Sequence, residues 1–278
     1  MYKKRINPIG AVLGLYFIFF ALRIMEYFFI RTDQGFVGEA FIHKLLGILL
    51  LAIALRCLKY NFQEIGFVPD RFARDAALGA VLGVCTFAAA YGVEIFLQTQ
   101  AGNHPQLLFH VTSYSIQGNR AMQDGSLFVV FCIVGNLINV IMEEGVFRGL
   151  FPMLAGKRLS FWVSCFFSSL LFGFWHIAQP LRNVIDGQQS PMGAVVSGLL
   201  LITTSTLLGV QLCMLNRITG SIWAGMAAHF INNTTINLLH VAASGGIDEM
   251  QTLRITIAQT LSFIFVLILF LRRRKSTV

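Results

Sequence analysis

The chain has 278 residues, 56% of them hydrophobic and only 12% charged, with a mean hydropathy of +0.70. A soluble domain carries about a quarter charged residues, so a soluble fold is excluded, and the alternating segments of a transmembrane barrel are absent. The net charge of +8 does not mark a nucleic-acid binder, because the basic residues cluster at the ends of apolar runs, as at the faces of a bilayer.

The expected fold is all-α: a polytopic membrane protein forming a single integral membrane domain over 1–278. About eight transmembrane helices are predicted, over 8–30, 36–58, 75–98, 126–155, 158–178, 192–215, 220–241 and 252–271. The first follows a basic stretch, Met1–Arg5, but is long enough to span and lacks a small-residue cleavage site, so it reads as a helix rather than a removed signal. Within it Arg23 and Glu26 are spaced to pair. The segment 59–74 mixes polar and aromatic residues and is placed at the interface. Gly79-xxx-Gly83 in the third helix and Gly145-xxx-Gly149 in the fourth are assigned to close helix packing. The loop 99–125 is a lid or a connector. Arg272-Arg273-Arg274-Lys275 closes the last helix as a stop-transfer anchor in contact with anionic lipid.

Orientation follows from the same residues. Lys3, Lys4, Arg5, Arg56, Lys59, Arg71, Arg74, Lys157, Arg158, Arg217 and the basic tail fall on one side, against Arg31, Arg120, Arg182 and Arg254 on the other. Both termini are therefore expected in the cytoplasm. Cys57, Cys85, Cys132, Cys165 and Cys213 lie in or beside apolar helices without a CxxC, which predicts neither a disulfide framework nor a cysteine metal site.

Ionisable residues at membrane depth mark function, and the fourth helix holds the densest group. Asn136, Asn139 and Glu143 share one face. Glu144 is rotated about 100° from Glu143 and precedes Arg148 by four residues, the favourable spacing for an acid-first ion pair. Arg148 can then neutralise Glu144 while Glu143 faces a cavity as a general base. The fifth helix ends in Phe172-Gly173-Phe174-Trp175-His176, whose aromatics also fit an interfacial belt. In the seventh, Asn233, Asn237 and His240 extend a polar stripe that begins at His229. Measured from the inner helix ends, His176 lies about 27 Å deep, against about 18 Å for Glu143 and about 14 Å for His229. Convergence of the three is thus not given by the spans. Ser168 and Ser169 lack the acid and the glycine elbow of a serine nucleophile.

Taken in order, Glu143-Glu144-xxx-Arg148, Phe172-xxx-His176 and His229-xxx-Asn233 resemble the three-motif pattern of the CAAX-protease and bacteriocin-processing family of intramembrane endopeptidases, which includes the type 2 CAAX prenyl proteases. The resemblance covers about 126–241. It implies glutamate-type peptide-bond hydrolysis inside the bilayer, on a membrane-anchored peptide or protein. Glu143 and His176 would hold and deprotonate a water, His229 and Asn233 would stabilise the oxyanion, and Glu144 and Arg148 would support them. No cofactor is expected; a zinc ion, if one took part, would be held by Glu143, His176 and His229, although no HExxH is present. Two other classes compete. An ion- or proton-coupled transporter would also keep Glu, His and Arg in its helices, but no repeat relates the two halves. A non-catalytic membrane scaffold would not need the full motif set.

Overall fold

The computed structural model describes residues 7–36, 38–112 and 125–275. Met1–Arg5 and Arg120, used above for orientation, lie outside the described residues, as does much of the loop expected to be a lid or connector.

Helix α1, Pro8–Met25, starts where Asn7 accepts a hydrogen bond from the Ile9 N–H (3.1 Å) and proline occupies the first turn. It widens into a π turn, Glu26–Ile30, and stops at Arg31, whose φ of 56° is left-handed. Helix α2, Ile42–Leu58, ends at left-handed Lys59. Short turns at 63–65 and 69–71 then lead into α3, Phe72–Gln100. Strand β1 is Gln106–Phe109. Helix α4, Ser126–Glu144, continues through a π turn, Gly145–Leu150, into α5, Phe151–Ala155. Helix α6, Phe161–Trp175, is capped by Ser160, and α7, Ala178–Ile185, follows. Helix α8, Pro191–Thr219, is capped by Ser190 and terminated by Gly220 at φ 75°. Then come α9, Trp223–Leu238, strands β2, Leu239–Ala243, and β3, Gly246–Ile247, and α10, Gln251–Lys275.

Each of the eight predicted spans contains a helix, but six are long and apolar enough to cross a membrane: Pro8–Ile30, Pro69–Gln100, Ser126–Ala155, Phe161–Ile185, Pro191–Thr219 and Gln251–Arg273. The other two, α2 and α9, have 17 and 16 residues. At 1.5 Å per residue they reach only about 24–26 Å, short of the roughly 30 Å hydrocarbon core. Both lost residues at an end. Residues 38–41 precede α2 without joining it, and the chain after Leu238 turns extended.

That extended stretch is the departure from a purely helical chain. β1, β2 and β3 form an antiparallel three-stranded sheet in that order. His110 and Thr112 continue the pairing onto the carbonyls of Leu238 and Asn237. His240 therefore leaves the α9 stripe predicted for it. It becomes a strand residue, with Nδ1 2.5 Å from Asp248 Oδ2.

The short helix α9 sits at the centre, packed against α3, α4 and α8, while α6 lies along α8 and α10 along α3. Glycine makes the α3–α9 seam possible. A Cβ on Gly79 would land on the Ala224 carbonyl, and one on Gly83 would come within 2.8 Å of Ile231. Gly145 and Gly149 play the same part, one against Leu51 (2.7 Å) and one against the Ile65 carbonyl (2.9 Å). Phe19, Leu51, Met142, Phe147, Leu150, Phe172 and Trp175 form the core on the other side of α4. All five cysteines are free.

Candidate active site

Glu143 and Glu144 end α4, immediately before the π turn, a helix irregularity that often accompanies functional sites. Glu143 is 3% exposed. A carboxylate taken out of water needs donors, and three elements supply them. Asn139, one turn back on the same face, donates to Oε2 at 3.1 Å. Trp175, at the end of α6, donates its indole N–H to Oε1 at 3.0 Å. The Arg23 guanidinium of α1 stands 3.9 Å from Oε1, stacked over the rings of Tyr27 and Trp175.

Glu144 is fully buried and points to a different set of partners. Arg148 lies 3.3 Å from its Oε1, with the predicted four-residue spacing. His229 of α9 places Nδ1 2.8 Å from the same oxygen. The opposite ring nitrogen, Nε2, is 3.8 Å from Glu143 Oε2. One imidazole thus spans the two adjacent carboxylates, closed on the Glu144 side and open on the Glu143 side. Arg148 is pressed face-on over Phe172 at 3.8 Å. Among the described residues, none of its guanidinium nitrogens has a hydrogen-bond partner, nor does Glu144 Oε2.

His176 closes α6. Its Nδ1 is 2.8 Å from the Phe172 carbonyl, an acceptor only, so Nδ1 carries the hydrogen and Nε2 keeps its lone pair. The Phe172 ring meets the His176 and His229 rings edge-to-face, at 4.7 and 6.2 Å. Glu143 lies in the electrostatic field of His229, His176 and Arg23 together. Because α6 begins at Phe161 rather than 158, His176 lies about 22 Å from that end, nearer the depth of Glu143; α9 also begins later, at Trp223, so the offset between His176 and His229 is unchanged. Asn233, one turn beyond His229 and half-buried, accepts from Asn232 at 3.0 Å rather than joining the carboxylates. Ser168, discounted as a nucleophile, donates to the Phe147 carbonyl at 2.6 Å.

Two participants escaped the sequence reading. Trp175 was grouped with interfacial aromatics; the missing signal was that a buried indole N–H needs an acceptor. Arg23 was assigned to Glu26. In the fold Glu26 faces the other way, bonded to Thr32 and, at 2.5 Å, to His43 Nδ1, and Arg23 turns to Glu143. Among the described residues, no three His, Cys, Asp or Glu are grouped to hold a metal ion.

The class so defined is a polytopic membrane protein with a buried carboxylate–imidazole centre. Residues 125–235, from the start of α4 nearly to the end of α9, match the family described as type II CAAX prenyl endopeptidase Rce1-like. The matched region contains Glu143, Glu144, Arg148, His176, His229 and Asn233, and it supports assignment of the chain to the CAAX-protease and bacteriocin-processing family. No curated protein matches the chain.

Proposed function

We propose that the protein is an intramembrane endopeptidase that hydrolyses a peptide bond near the terminus of a membrane-associated protein or peptide. The observation that carries this reading is the 3.8 Å separation between His229 Nε2 and Glu143 Oε2. It is too long for a direct hydrogen bond and short enough for one water to touch both groups.

In this reading Glu143, assisted by the Nε2 lone pair of His176, takes a proton from that water. The hydroxide attacks the scissile carbonyl carbon, and the carbonyl π electrons move onto oxygen. His229, protonated, and the Asn233 amide donate to the oxyanion. Collapse breaks the C–N bond as the proton held by Glu143 passes to the departing nitrogen. Glu144 stands behind His229 as the acid stands behind the base of a catalytic triad, holding its orientation. Arg148 offsets the charge of Glu144. No step requires a metal. The family's printed name points to prenylated C-termini as one substrate class; the residues on hand recognise a carbonyl and a water, not a lipid tag.

The test compares protein termini in membranes of cells carrying the wild-type protein or Glu143→Gln at matched expression. The expected outcome is a membrane protein that keeps an uncut terminal segment only with the variant. Identical termini in both, with the variant folded, would overturn the proposal.

A further inference from the structure

Where α3, α8, α9 and α10 meet, they leave a cavity of about 20 Å³ between them. None of Glu143, Glu144, His176 or His229 lines it. Gln211 lies about 12 Å from the end of α8, and Ser262 about 17 Å from the start of α10. The cavity is therefore at hydrocarbon depth, where lipid offers polar groups nothing.

Its lining holds no charged residue, yet five of the side chains are polar. Four of them have hydrogen-bonding capacity left over among the described residues. Gln211, buried, donates Nε2 to the buried Ser262 Oγ at 2.6 Å. That leaves the Gln211 amide oxygen without a donor and the Ser262 hydroxyl hydrogen without an acceptor. Asn232 commits Nδ2 to Asn233 Oδ1 at 3.0 Å, while its own Oδ1 receives no donor. Gln259, half-buried, makes no side-chain hydrogen bond. The fifth, Thr86, differs, because its hydroxyl bonds the Leu82 and Gly83 carbonyls of its own helix.

The cavity is thus faced by two acceptors, Gln211 Oε1 and Asn232 Oδ1, and two donors, the Ser262 hydroxyl and the Gln259 amide. A water molecule has two of each to answer them. It needs two to four polar partners and roughly 10–15 Å³, so this volume suits one water and not two. Organic ligands need roughly 300 Å³ or more.

We infer that this cavity binds a single water molecule, which donates to Asn232 and Gln211 and accepts from Ser262 and Gln259. One residue carries its effect to the candidate active site. With Oδ1 held by the water, Asn232 keeps Nδ2 on Asn233 Oδ1, and the Asn233 amide is left its N–H groups for the oxyanion. Asn232 is then a positioning residue for Asn233. The water site stands without the proposed hydrolysis; the positioning of Asn233 rests on that reading.

The test begins with a crystal structure of the full chain, grown from lipid, at a resolution that shows ordered water. One peak is expected in the cavity, within about 3.2 Å of Asn232 Oδ1 and of at least one of Gln211, Ser262 and Gln259. A well-ordered cavity without that peak would overturn the water site. The second measurement is cleavage of the substrate revealed by Glu143→Gln. Asn232→Leu should lower kcat per folded molecule about fivefold, the weight of one neutral hydrogen bond, with KM unchanged. Thermal unfolding checks its fold, and Asn232→Ser, too short to reach Asn233, replaces it if it does not fold. An unchanged kcat, or a loss confined to KM, would overturn the positioning. A wild type that cleaves nothing would overturn the hydrolysis and the role of Asn232 with it, and the peak would still decide the water site.

Discussion

His229 and His240 are the two buried histidines of the α9–β2 segment, and each faces a carboxylate and an arginine network. At His240 the network is closed. Nδ1 is 2.5 Å from Asp248, and Nε2 is 3.2 Å from the His110 carbonyl. Arg254 bonds Asp248 and Glu94 at 2.7 Å each. At His229 one nitrogen is closed on Glu144 and the other faces a 3.8 Å gap, while Arg148 lies over a ring with its N–H groups uncommitted. Residue types alone do not separate the two clusters. What separates them is how the imidazole and the arginine are held. His240 is engaged at both ring nitrogens and Arg254 bonds both Asp248 and Glu94, although Arg254 Nε and Glu94 Oε1 lack partners among the described residues. His229 instead faces a gap, and Arg148 makes no hydrogen bond among the described residues.

The sharpest way to break that contrast is to neutralise the acid behind His229. Glu144→Gln keeps the shape of the side chain and removes the charge that orients the imidazole. It is expected to lower cleavage per folded molecule by about 10²–10⁴-fold, the range of a general acid–base contribution; because Arg148 is left a buried charge without its partner, a stability loss of about 3–5 kcal/mol is expected as well. Near-wild-type turnover in the purified variant would mean that Glu144 only packs. The mirror substitution is Arg254→Met. It leaves Glu94, 1% exposed, as an uncompensated buried charge. A loss of about 3–5 kcal/mol is expected, read as a lowered unfolding midpoint, while the folded fraction still cleaves. If activity per folded molecule fell as steeply as with Glu144→Gln, the two clusters would not be functionally distinct.

A subtler probe is Trp175→Phe, which keeps the ring over Arg23 and deletes the N–H that holds Glu143 Oε1. One hydrogen bond to a charged group is worth about 1.5–3 kcal/mol, so kcat should fall at least tenfold with little change in KM. An unchanged kcat would remove Trp175 from the site.

The sequence showed the site's inventory better than its assembly. Short-range geometry was legible: Glu144 to Arg148 and Asn139 to Glu143 are one-turn relations on a single helix, and both contacts occur. Relations across the chain were not. Arg23 has an acid three residues away, and nothing local says that Glu26 will be taken by His43 or that Arg23 will reach α4. The two short helices were over-extended for a related reason. Their flanks carry apolar residues such as Phe36, Phe41, Leu239 and Val241, so an apolar run continues where helix does not. In the stretch from Leu239, β2 is held in extended form by partners far away in sequence, Gln106–Phe109.

The smallest expected effect concerns pH and tests the closed cluster by itself. Asp248 lies in the turn between β3 and α10, outside the spans. Burial works against its charge, but hydrogen bonds from His240, Arg254 and the Val241 N–H outweigh burial and hold its carboxyl at about 2. In the unfolded chain an aspartate titrates near ~4. The folded state therefore binds fewer protons across that interval. The stabilisation is complete above ~4 and is lost as pH falls through about 2. Asp248→Asn cannot titrate, so its unfolding midpoint should decline less than that of wild type between those limits, and the two curves should converge at the acid end. At neutral pH the variant should be the less stable of the two and should cleave as wild type does. Parallel curves would show that the Asp248 charge does not contribute to the closed network, and the distinction between the two histidines would then rest on His229 alone.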